Sequence, residues 1–175
     1  VLHNEGAVFD LGASATVALE NLAESGDNSQ VLAQDMVLAG ASGAGVIMPG
    51  MSETVSVSLV DTKPMLLSAA TMLVNTNDAF SGISAMSLEN MAVGESISLR
   101  TSSYDSGTEK NSETMATIPG PAAGGEGFNA ERDDVDFIGM HAGVITSDDG
   151  LMQSVLTQAH RFDNPTLAIS VTRVE

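Results

Sequence analysis

Two polar segments hold most of the oxygen donors that could do chemistry together. Asn75, Thr76, Asn77 and Asp78 make up the first, and Tyr104, Asp105, Ser106, Gly107, Thr108 and Glu109 the second. Strand-like stretches separate them, so both sit at the ends of consecutive hairpins, and a sandwich can bring such loops to one end. Asp78, Asp105 and Glu109 would then present three carboxylates among amide and backbone carbonyl oxygens. A hard cation suits that set. Calcium takes about 6–8 oxygens at roughly 2.3–2.6 Å in a flexible shell, whereas magnesium demands a stricter octahedron and zinc prefers His or Cys. The plain alternative is that these are ordinary turn residues, since Asn, Asp, Ser and Gly dominate turns for conformational reasons alone.

Other chemistry is poorly supplied. His3, His141 and His160 are the only imidazoles, and none lies at the i,i+2 or i,i+4 spacing that makes a metal pair. The chain has no Gly-x-Ser-x-Gly elbow for a serine nucleophile; Gly40 to Gly43 is merely loop-like. Few aromatics are present to stack a sugar beside paired acids. Asp148, Asp149 and Gly150 lack the glutamate that closes an EF-hand loop. The ten methionines read as core filler in place of aromatics. No enzyme is expected.

Charge narrows the partners. Six Lys+Arg stand against 23 Asp+Glu in 175 residues, a net charge of −17. Nucleic acid is excluded, because phosphates need clustered bases, and anionic lipid is disfavoured for the same reason. A cationic partner fits, a divalent metal being the simplest; a halophilic or marine solvation surface accounts equally for the bulk charge. Hydrophobic residues at 43% provide a core and argue against disorder. The length suits a single domain over residues 1–175. Zero cysteines exclude a disulfide scaffold, a zinc-thiolate site and a cysteine nucleophile. No apolar run approaches a membrane span. The chain begins at Val1, which suggests a processed or trimmed product compatible with secretion.

The elements that must position the loops are mostly strands. The pattern from Ala13 to Leu38 is helical, broken at Ser25, Gly26 and Asp27, with Asn28 capping a second short helix closed by Gly40. Val55, Val57 and Leu59 alternate with serines as in a half-buried strand. Further strands are expected at Met65 to Val74, Ile83 to Leu88, Ser96 to Arg100, Phe137 to Ile145 and Thr166 to Val174. Residues 118–127 carry too much Gly and Pro to be anything but loop. Asp149 to His160 reads as a short helix or an ordered loop. The fold class is therefore all-β, an antiparallel β-sandwich with a small helical insertion near the N-terminus.

Met72 to Ile83 (MLVNTNDAFSGI), Tyr104 to Glu109 (YDSGTE) and Ala116 to Pro119 (ATIP), in that order, resemble the spondin domain of F-spondin and mindin. The single-domain bacterial exported members look closest. They share the Leu2-His3-Asn4 segment, the helix end from Leu19 to Asp27, the His141 to Gly143 segment and a final strand after Asn164, so the resemblance covers nearly the whole chain. It implies a C2-like sandwich holding calcium in loops at one end, through Asp78, Asp105 and Glu109. Asn77 and Asn111 would orient the site or donate a carbonyl oxygen. Glu109 stands where the animal proteins have Asp, which keeps the charge and alters the reach. The family's first strand is apparently missing ahead of Val1, and the cysteines of several animal relatives are absent. The implied function is adhesion or interaction with a surface or matrix protein, in a secreted, periplasmic or cell-surface setting. The alternative is a structural subunit, a homo-oligomer or filament in which each copy completes a neighbour's open sheet edge.

Overall fold

The computed structural model describes residues 1–58 and 64–175. Its strands form two antiparallel sheets, and the helices are confined to a short insertion, so the expected all-β sandwich is the fold. In chain order the elements are β1 (Leu2–His3), α1 (Val17–Ser25), α2 (Ser29–Leu32), β2 (Val37–Ala39), β3 (Leu66–Met72), β4 (Ala79–Ser87), β5 (Ser96–Thr101), β6 (Ser103–Asp105), β7 (Gly139–Met140) and β8 (Leu167–Thr172). One sheet runs β2-β1-β3-β4-β6-β7; the other is the pair β5-β8.

Helix α1 has both ends fixed chemically. Thr16 caps its start, its hydroxyl accepting from the Leu19 amide at 3.2 Å, and Gly26 ends it in the left-handed region at φ 77°. Its inner face sets Leu19, Leu22 and Ala23 against Val8, Phe9, Phe80 and Ile138. Phe9, Phe80 and Tyr104 form an aromatic triangle with ring centroids 5.0–5.5 Å apart, which ties the N-terminal segment to β4 and β6. A smaller apolar cluster of Ile118, Val144 and Leu156 lies under the C-terminal loops.

His3 is a framework residue. Its Nδ1 donates to the Glu5 carbonyl and its Nε2 accepts from the Ser68 hydroxyl, both at 2.8 Å. The Ser68 hydroxyl in turn accepts from the Ala85 amide at 2.8 Å, where the β3–β4 register slips at a bulge. The sequence placed a helix through Leu38, but α2 is a single turn and Val37–Ala39 pairs with β1 instead. Val55 and Val57 belong to no strand among the described residues, and Leu59 falls outside them. The strand expected from Phe137 to Ile145 contracts to Gly139–Met140, because β6 offers it only a two-residue ladder. Two short 3-10 turns, Ser147–Asp149 and Gln158–His160, occupy the stretch read as short helix or loop.

Candidate metal centre

The β4–β6 ladder builds the site. Ala79 pairs with Asp105, so Asp78 just before β4 and Asp105 at the end of β6 come to the same end of the sheet. The turn from β3 into β4 is closed by Thr76, whose hydroxyl donates to the Leu73 carbonyl at 2.6 Å and accepts from the Ala79 amide at 3.2 Å. The loop from Ser106 to Glu109 then wraps the Asp78 carboxylate. Its Oδ2 accepts from the amides of Thr108 and Glu109 at 3.0 and 3.1 Å and from the Ser106 hydroxyl at 2.9 Å. Gly107 makes this wrap possible. It sits at φ 72°, and a Cβ there would lie 2.3 Å from the Phe137 carbonyl oxygen. Gly107→Ala is expected to lower stability by more than about 1 kcal/mol, read from the shift in a urea midpoint.

Every residue singled out from the sequence lies in this loop cluster. Asp78, Asp105, Glu109 and Asn77 are all buried, and Asn111 is exposed. Asn77 Nδ2 donates to the Glu109 carbonyl at 2.8 Å and to Asp78 Oδ1 at 3.2 Å. Asn111 Nδ2 donates to Asp105 Oδ2 at 2.7 Å, while Asp105 Oδ1 accepts from the Gly107 amide at 2.8 Å. Both asparagines therefore hold the carboxylates in place.

Among the described residues no basic side chain neutralises the three acids: the ion pairs there join Lys110 to Asp133, Arg132 to Glu20 and Asp136, and Arg161 to Asp149. Asn77 Oδ1 and Glu109 Oε2 are buried oxygens with no hydrogen-bond partner among the described residues. Burial, with Asp105 as the next contributor, pushes Asp78 up to about 7. Burial, followed by repulsion from Glu24 and Asp78, pushes Glu109 up to about 8. The donor chemistry thus suits a hard cation, although among the described residues no three His, Cys, Asp or Glu side chains are drawn into a ready-made cage. Asp105 repels Asp78, and Glu24 and Asp78 repel Glu109, so the carboxylates of this loop cluster raise one another.

Around these loops lie further buried polar residues to which the sequence reading gave no role here. Glu24 accepts from the Thr108 hydroxyl at 2.7 Å and from the Asn129 amide at 2.8 Å, so α1 holds the wrapping loop from behind. One turn earlier, Glu20 takes a two-pronged hydrogen bond from Arg132 at 3.0 and 2.6 Å. Glu113 is buried with Oε2 unpartnered, and Oε1 accepts from the Ile145 amide at 3.1 Å. Buried His141 accepts from the Gly143 amide through Nδ1, which places the neutral ring's proton on Nε2, an atom with no partner among the described residues. Acids four apart on α1 were the one visible signal, since Glu20 and Glu24 share its buried side with Leu19 and Ala23.

No protein-family model matches the chain, and no curated protein matches it.

Proposed function

We propose that the chain is an exported, calcium-binding β-sandwich module of spondin type that acts in adhesion or interaction at a cell surface or in a matrix. The observation that carries the reading is the group of buried carboxylates that have no basic partner among the described residues, accompanied by the Asn77 and Glu109 oxygens that have no hydrogen-bond partner among them. Asp78, Asp105 and Glu109 are the proposed ligands, with Asn77 Oδ1 and backbone carbonyls completing an oxygen shell. Asn111 orients Asp105. The ion would relieve the repulsion between the carboxylates and tie the β3–β4 turn to the loop after β6. The resemblance in residues 72–83, 104–109 and 116–119 supports the assignment to an interaction module and supplies no partner's identity.

Calcium titration of the full chain by calorimetry tests the site. Asp105→Asn is expected to weaken calcium at least tenfold while leaving the metal-free protein folded. An unchanged affinity in that variant removes Asp105 from the ligand set.

A further inference from the structure

Asp105 turns one carboxylate oxygen to each of two chain segments. Its Oδ1 accepts from the Gly107 amide at 2.8 Å, within the loop that wraps Asp78, and its Oδ2 accepts from the Asn111 side chain at 2.7 Å. Two residues beyond Asn111 stands Glu113, 1% exposed and in the left-handed region at φ 55°, which a non-glycine residue adopts only at a cost. Later segments fasten it: the Val155 amide donates to its carbonyl at 2.9 Å and the Ile145 amide to Oε1 at 3.1 Å. Its Oε2 is buried and has no hydrogen-bond partner among the described residues. His141 joins this group. Its amide donates to the Ser103 carbonyl at 3.1 Å, and Gly139 pairs with Asp105, so alternation along β6 and β7 puts the His141 and Asp105 side chains on one face of the sheet. Burial raises Glu113 and lowers His141, and the Asp105 charge pushes both upward.

Of the acids buried among the described residues, Glu20 pairs with Arg132, while Glu24, Asp78, Asp105, Glu109 and Glu113 have no basic partner there. Buried charge needs a compensating one. A single calcium ion would leave three of those five charges uncompensated, and two ions would leave one. We propose that Asp105 is shared between two calcium ions, the first held with Asp78 and Glu109 and a second held by Asp105 Oδ2 and Glu113 Oε2. The inference rests on the calcium reading of the first position. The second position is also an oxygen site. With the ring proton on Nε2, His141 offers a donor there and no lone pair, so it would hold a water of the ion and not the ion itself. Zinc, which favours ring nitrogen or thiolate, is thereby disfavoured. Asn111 is exposed, so the Oδ2 side of Asp105 borders solvent, and waters can complete a shell of about 6–8 oxygens.

Calorimetric titration of the calcium-stripped full chain counts the ions. Two per wild-type chain are expected, and one in Glu113→Gln, which keeps an oxygen for the Ile145 amide. Glu109→Gln is expected to weaken the first ion and to keep the second. Hydrogen exchange supplies a separate readout: calcium is expected to slow the Ile145 and Val155 amides in the wild type and not in Glu113→Gln. Should Glu113→Gln not fold, the wild-type and Glu109→Gln counts decide the matter. One ion per wild-type chain, weakened by Asp105→Asn, overturns the second position and leaves the first standing. No calcium uptake at all overturns both. Two ions in Glu113→Gln, with the Ile145 and Val155 amides still slowed, also overturn the proposal.

Discussion

Replacing Arg132 by Met is expected to destabilise the protein by about 3–5 kcal/mol, more than any surface change, because it strands a buried charge. Glu20 is 2% exposed and lies on the core side of α1, with Leu19, Leu22 and Ala23 beside it. Arg132 meets both of its oxygens and also donates to the Ala15 carbonyl at 2.7 Å, which closes the N-terminal end of the helix over the loop carrying Asp133 to Asp136. Arg132 itself is mostly covered, with 24% of its side chain exposed, so solvent compensates little when one member is lost. The double variant Glu20→Leu with Arg132→Met is expected to recover much of the loss, because an apolar pair of similar volume carries no stranded charge. Urea unfolding of the two single variants and the double variant measures the coupling. A loss below about 1 kcal/mol for Arg132→Met would mean that water reaches Glu20 once the arginine is gone.

The second large effect is on pH. In the metal-free protein Asp78 and Glu109 have folded-state pKa values raised to about 7 and about 8, burial being the main cause of each. Unfolded, both ionise near pH 4. Between those limits the folded chain holds more protons than the unfolded chain, so stability falls as pH rises and levels off only above about 8. Each pKa unit corresponds to about 1.4 kcal/mol, so the two groups acting independently would set an upper bound of about 7 kcal/mol between pH 5 and pH 8. Because the Asp78 charge is part of what raises Glu109, a decline of several kcal/mol, below that bound, is expected. Asp27, Asp133 and Asp149 are shifted the other way by hydrogen bonds from backbone amides, so their contributions are lost as pH falls through the acid range. Maximum stability of the metal-free protein is thus expected between pH 4 and 6. Calcium should flatten the decline above that range, and its affinity should rise with pH as it displaces protons from Asp78 and Glu109. Melting temperatures across that range, with and without calcium, check both parts. A metal-free profile that rises towards pH 8 would mean these carboxylates are ionised and solvated in the folded chain.

What the sequence made legible follows from the range of each interaction. Helix α1 could be read because its signals are local, Gly26 at the end and an apolar face before it, although the pattern begins at Ala13 and the helix starts after its Thr16 cap. Consecutive hairpins would put the Asp78 and Asp105 loops at one end. They do meet there, but through β4 pairing with β6 while the intervening β5 joins the other sheet, a non-consecutive pairing that local pattern does not carry. Val37–Ala39 was misread because Val31, Leu32, Met36 and Val37 fit a helical period, whereas pairing with Leu2 and His3, more than thirty residues away, decides the matter. Val55 and Val57 carry a clear strand pattern, yet the pattern alone cannot supply a partner. The Glu20–Arg132 pair spans 112 residues, and the Thr108–Glu24 bond spans 84. From sequence such acids look like a solvated helix face. Only the packing of α1 against the loops turns them inward.

Calcium dependence of the thermal melt tests the central claim most directly. The full chain would be melted at pH 7.5 in EDTA, then in millimolar calcium, with millimolar magnesium as control. At about 100 times Kd a ligand adds about 2.7 kcal/mol, which for a chain of this size raises the midpoint by about 5–10 °C. That rise is expected with calcium, with little change in magnesium and loss of the calcium shift in Asp105→Asn. Identical midpoints in EDTA and calcium would contradict it, leaving Asp78, Asp105 and Glu109 as residues that shape the loops and bind no metal.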